Sequence, residues 1–142
     1  MEYRFYGAGQ DIRFVNKQYE DLDTPEKLYE VFSRIWCRQT CAPRMADDWN
    51  EGNKTLGQCS ITSFLVQDLI GGEVYGIKLK DGNYHCFNVI GQKAFDLTSE
   101  QFKEELDYSS AVPQERKTHF AKEEKHQRYL LLKEKLKEIM EK

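Results

Sequence analysis

The sequence has no apolar run long enough to cross a bilayer, so no membrane role is expected. Its opening stretch MEYRFYGAGQDIR carries charges in place of a signal peptide's apolar core, and the expected compartment is the reducing cytoplasm. C-x-x-C pairs are also missing. The four cysteines, Cys37, Cys41, Cys59 and Cys86, are too few and too scattered in 142 residues for a disulfide scaffold. There is no basic stripe interleaved with aromatics, which argues against a nucleic-acid partner. Internal repeats and low-complexity segments are absent too.

What remains is a globular composition, 39% hydrophobic and 32% charged, of a length that suits one domain spanning 1–142. The net charge of −3 is uneven: residues 1–115 carry −7 and residues 116–142 carry +4. Acids and bases alternate in the basic tail, as on a solvated helix face. That tail is expected to form a helix over 117–140 with Tyr129, Leu132, Leu136 and Ile139 on one side. Its His119 and His126 are expected to face solvent. At the other end, YRFY (3–6) and IRFV (12–15) read as short strands around GAGQD, although residues 1–20 fit no clear pattern. Thr24-Pro25-Glu26 is a helix start, with an N-cap threonine and a proline at the first position, and the helix runs to about Arg38. Residues 41–58 show no period and read as a long loop, pinned by Trp49.

The loop leads into GQCSITSFLVQDLIGG. From Cys59 to Ile70 the apolar residues Ile61, Phe64, Leu65 and Leu69 recur at helical spacing, and Gly71-Gly72 ends the helix. Cys59 therefore sits at a helix head. Unpaired N–H groups and the positive end of the dipole favour its thiolate there and can hold an oxyanion.

Strands follow: EVYGIKLK, the turn Asp81-Gly82, NYHCFNVI, the turn Gly91-Gln92, then KAFDL. Thr98-Ser99-Glu100-Gln101 matches a capping box that opens a short helix near 99–106. If both turns are two-residue loops, Lys78 faces His85 and Phe87 faces Asp96. One face then gathers Tyr75, Ile77, Leu79, Tyr84, Cys86, Asn88, Ile90, Phe95 and Leu97 as the core. The other gathers Val74, Gly76, Lys78, His85, Phe87, Val89, Ala94 and Asp96, with His85 and Asp96 as diagonal neighbours. A cysteine nucleophile needs a base, and the base needs an orienting partner. Cys59, His85 and Asp96 suit those roles in chain order. Lys78, facing the ring, is expected to hold His85 neutral. Asn88 is the rival orienting group, although this register puts it on the core face, and Gln58 is a candidate oxyanion donor. A cysteine helix followed by a His strand and a polar strand is the core order of papain-like and transglutaminase-like folds.

TLGQCSITSFLVQDLIGGEV and NYHCFNVIGQKAFDLTSEQF together resemble the YunG-like family of small bacterial proteins. The resemblance covers about residues 30–106, with a looser echo in HQRYLLLKEKL. It implies a papain-like or transglutaminase-like cysteine fold, with Cys59, His85 and Asp96 on the family's Cys, His and Asp, and Gln58 and Asn88 on its Gln and Asn. Cys86-Phe87 departs from the larger aromatics of relatives.

The expected fold is α+β: the Cys59 helix on an antiparallel meander, flanked by N- and C-terminal helices. The leading function is a thiol-dependent acyl-transfer enzyme without cofactor, acting on an amide or thioester. Two alternatives stand beside it. One is a catalytically silent binding or regulatory module with a protein partner. The other is a zinc-stabilised domain built on Cys37 and Cys41 with Cys59 or His85.

Overall fold

A computed structural model describes residues 2–142. Helix α1, Pro25–Ile35, starts where the sequence signals it. The Thr24 hydroxyl accepts from the Lys27 N–H, and Leu28, Phe32 and Ile35 are buried. It ends at Ile35, three residues before Arg38, and is capped by Trp36, whose indole donates to the Thr62 hydroxyl (2.9 Å). Helix α2, Cys59–Ile70, is the centre of the molecule. Most of its side chains are buried, Ser60, Thr62 and Ser63 included, and only Asp68 is exposed. Gly71, at φ +80°, ends it as expected.

Four antiparallel strands follow α2: β1 Glu73–Lys78, β2 Tyr84–Ile90, β3 Lys93–Phe95 and β4 Val112–Pro113, in the order β3-β2-β1-β4. The fold is therefore α+β with a four-stranded sheet. Pro113 lies on the edge strand, where its missing N–H costs little. Helices α3, Arg116–Phe120, and α4, Glu123–Met140, close the chain. The tail is thus two helices broken at Ala121-Lys122, where one was expected. Tyr129, Leu132 and Leu136 of α4 are buried in the core, and Ile139 packs beside them.

The sheet register matches at one turn and differs at the other. Gly91-Gln92 is a two-residue loop with Gly91 at φ +61°, so Ile90 pairs with Lys93 and Asn88 with Phe95, as expected. The Asp81-Gly82 turn is one residue longer. Leu79 and Asn83 close a three-residue loop of Lys80, Asp81 and Gly82, with Gly82 at φ +89°. Lys78 consequently pairs with Tyr84, and Ile77 with His85. This slip turns β1 over. Val74 joins Cys86 and Phe64 in a core cluster, while Ile77 and Tyr75 share the face of His85 and Phe87.

The described residues of the N-terminal segment form no strand. Among the described residues the segment makes a bridge from Tyr6 to Asp96, and Phe5, Ile12 and Phe14 are buried. The expected helix at 99–106 is a single turn, Ser99–Gln101. Thr98 gives it no side-chain cap, because its hydroxyl and N–H are engaged by Asp96. A short 3-10 turn, Arg38–Thr40, precedes the 41–58 region and another, Pro43–Asp48, lies within it, and Trp49 is buried with its indole on the Lys54 carbonyl (3.0 Å).

Candidate active site

Cys59 owes its position to a forced turn. Gly57 stands at φ +70° against Cys41 and Ala42, and its carbonyl accepts the Ala42 N–H (3.0 Å). A Cβ here would lie 2.6 Å from the Cys41 sulfur. The chain then enters α2 with Gln58 as N-cap, but the Gln58 side chain does not cap it. The first N–H groups of the helix are therefore free to serve an anion beside Cys59.

His85 is the second residue of β2 and is fully buried. Its Nε2 lies 2.6 Å from Asp96 Oδ2, the diagonal contact that the Gly91-Gln92 turn implies. Asp96 is also buried and accepts from four donors: His85 and the Tyr108 hydroxyl (2.7 Å) on Oδ2, and the Thr98 N–H and hydroxyl on Oδ1. Tyr108 is held by stacking on Tyr6 and by the edge of Phe87. Phe102 meets the His85 ring edge-on at 4.7 Å. With Nε2 committed to Asp96, the other ring nitrogen, Nδ1, has no hydrogen-bond partner. The Cys59 thiol is its neighbour, near enough that each group shifts the other's titration.

The charges favour an ion pair. Burial works against protonating His85, but the Asp96 carboxylate and Cys59 outweigh it and push the ring up to about 10. Lys78 plays no part in this, since it lies opposite Tyr84 and not opposite the ring. The Cys59 thiol is lowered well below its ordinary value, first by a hydrogen bond from the Cys86 thiol and then, against the cost of burial, by His85. Cys86 is raised in return, so it keeps its proton and donates it toward Cys59.

A second, neutral group lies behind Cys86. His119 is buried against Phe64, hydrogen-bonded to Gln114 Oε1 (2.8 Å), and takes a donor from Lys125 Nζ at Nδ1 (3.0 Å). Burial and Lys125 push its pKa down to about 4. Its expected solvent exposure is thus overturned, and His126 is half-buried beside Phe120 and Tyr129.

The remaining candidates lie apart from this contact. The Gln58 amide is fully buried and donates to the Cys37 carbonyl (3.0 Å), while its Oε1 has no partner. Gln58 does not line the cleft at Cys59. Asn88 is buried on the opposite face from His85 and donates to the Ser63 carbonyl (2.9 Å). Among the described residues, no group of three or more His, Cys, Asp or Glu side chains is arranged to hold a metal ion.

Cys59 and His85 share a cleft of about 50 Å³, bordered by Phe102, Tyr84, Arg44 and Lys125. Beyond Phe102 a larger groove, about 440 Å³, runs along Tyr6, Ser99, Lys103 and Tyr108. Sequence reasoning missed Cys86 and Tyr108 as members of the site. Tyr108 lies in a stretch with no period. Cys86 was legible only as a core residue, on the same strand as His85.

The family model described as YunG protein matches residues 24–141. A protein of Bacillus subtilis (strain 168), "Uncharacterized protein YunG", is 30% identical over 95 residues, or 67% of this chain and 76% of that protein. No solved structure matches significantly.

Proposed function

The chain belongs to the YunG family, and from that premise we propose that it is a thiol-dependent acyl-transfer enzyme with a papain-like or transglutaminase-like core. One observation carries the reading: a helix-head thiol and a buried imidazole with a free nitrogen share a cleft, and the other nitrogen is held by a carboxylate. In this mechanism the Cys59 thiolate attacks the acyl carbon of an amide or thioester. Helix-start N–H groups stabilise the oxyanion. The His85 imidazolium gives its proton to the leaving amine or thiol as the acyl bond breaks. His85 then takes a proton from water or an amine, which attacks the thioester and frees Cys59. Asp96 keeps the working proton on the ring.

Iodoacetamide labelling near neutral pH tests this. Cys59 should react much faster than free cysteine, and His85→Ala should slow it at least tenfold. Cys59 labelling at the rate of free cysteine, unaffected by His85→Ala, would instead favour the silent binding module. The small size of the cleft is the observation behind that second reading.

A further inference from the structure

We propose that the substrate carries an oxyanion group, a carboxylate or a phosphate, close to the acyl carbon that Cys59 attacks. The proposal rests on the acyl-transfer reading and specifies its substrate.

The cleft around Cys59 and His85 is bordered by Arg44, Lys125 and Arg128 and by no aspartate or glutamate. The whole chain carries −3, so this lining runs against its overall charge. The three cations differ in how far they are already balanced. Arg128 is held by Glu124 (2.7 Å) and the Thr40 carbonyl (3.0 Å). Arg44 meets Asp81 only at 4.0 Å, with both side chains about half exposed, a separation at which water screens the pair. Lys125 donates to His119, a neutral ring, and forms no ion pair with any described carboxylate. Two cations at the mouth of the nucleophile's cleft are thus available to an anion.

The thiolate and the imidazolium offset each other and the Asp96 carboxylate lies buried behind the ring, so the charges standing at the cleft mouth are those of Arg44 and Lys125. The cleft volume, about 50 Å³, admits an acyl group of a few atoms. An adjacent substituent must therefore rest on the rim, where these side chains stand. An arginine fork and an ammonium there suit a carboxylate or phosphate.

Two alkylating reagents of similar size and opposite character test the idea: iodoacetate, an anion, and iodoacetamide, which is neutral. The ratio of their rates at Cys59 should exceed that of free cysteine about tenfold at low salt. Arg44→Gln and Lys125→Met should each lower the ratio about threefold or more, the iodoacetate rate falling further than the iodoacetamide rate. High salt should erase the advantage. Arg44 is exposed, so its variant is expected to fold even if Lys125→Met does not. If the cations serve only to stabilise the thiolate, both reagents slow together, the ratio stays constant, and the proposal is overturned. A ratio equal to that of free cysteine overturns it as well. Slow iodoacetamide labelling that ignores His85→Ala removes the acyl-transfer reading beneath it, a distinct result. Protection of Cys59 by succinate identifies a carboxylate, and protection by inorganic phosphate a phosphate. Protection by neither, with an unchanged ratio, rejects both.

Discussion

Replacing Asp96 by asparagine changes one atom type in a buried, fully bonded carboxylate, and its consequence can be worked out in steps. Asp96 Oδ2 faces His85 Nε2 at 2.6 Å and makes the protonated ring favourable despite burial. Asparagine removes the charge. Burial is then opposed by Cys59 alone, so the ring's pKa should fall from about 10 to near 6.5. That is a loss of roughly 5 kcal/mol of preference for the imidazolium. A second effect adds to the first. If the new NH₂ group turns to Nε2, the ring must carry its proton on Nδ1, the nitrogen beside Cys59, and the base is blocked. Without the imidazolium, the Cys59 thiol should move back up toward the ordinary range. The assay is the pH profile of iodoacetamide labelling at Cys59, read by mass spectrometry. In the parent protein the rate should already be flat at neutral pH, because the thiolate is present above its lowered pKa. In Asp96→Asn the rising limb should move by at least about one pH unit toward alkaline values, with the rate at pH 6 down about tenfold or more. A profile that does not move would refute the claim that Asp96 governs the charge of His85, and with it the triad.

Three further outcomes follow from the geometry. Cys86→Ala removes the thiol that donates toward Cys59, so the labelling profile should shift to higher pH with His85 still in place. His119 should make the fold acid-sensitive. Its folded pKa of about 4 lies below the unfolded 6.5, so the unfolded chain binds the proton first, and stability falls as pH drops from 6.5 to 4. The loss saturates near roughly 3 kcal/mol, and urea titrations across that window should show His119→Gln losing less than the parent. Gly57→Ala should cost roughly 2–4 kcal/mol, because φ is +70° and the new Cβ meets Cys41 and Ala42. It should also slow Cys59 labelling, since this turn delivers the chain to the helix head.

The parts of the fold that rest on local rules were legible in the sequence. Thr24-Pro25 starts α1, the Cys59–Ile70 period marks α2, and two glycine turns mark the meander. The Gly91-Gln92 turn also carried the His85–Asp96 contact, because a two-residue loop leaves a single register and the side-chain period of two does the rest. The first turn was not decidable in the same way. Asp-Gly serves a two-residue loop and a three-residue one, and the choice here goes with Asp81 accepting the Asn83 N–H (2.9 Å). One residue of difference moved Lys78 away from His85 and exchanged the faces of β1.

By itself the sequence determined which residues could do chemistry and the order in which they come. A cysteine at a helix head, a histidine and an aspartate on neighbouring strands are all properties of short stretches and their turns. Tertiary structure alone decided how they are surrounded. It set the Tyr108 hydroxyl on Asp96, the Cys86 thiol beside Cys59, His119 in a dry pocket, and Arg44 and Lys125 at the mouth of the cleft. These contacts join residues 12 or more positions apart. Such pairs leave no period, cap or turn in the chain, because what unites them is tertiary packing, with α2 on the sheet and α4 on α2.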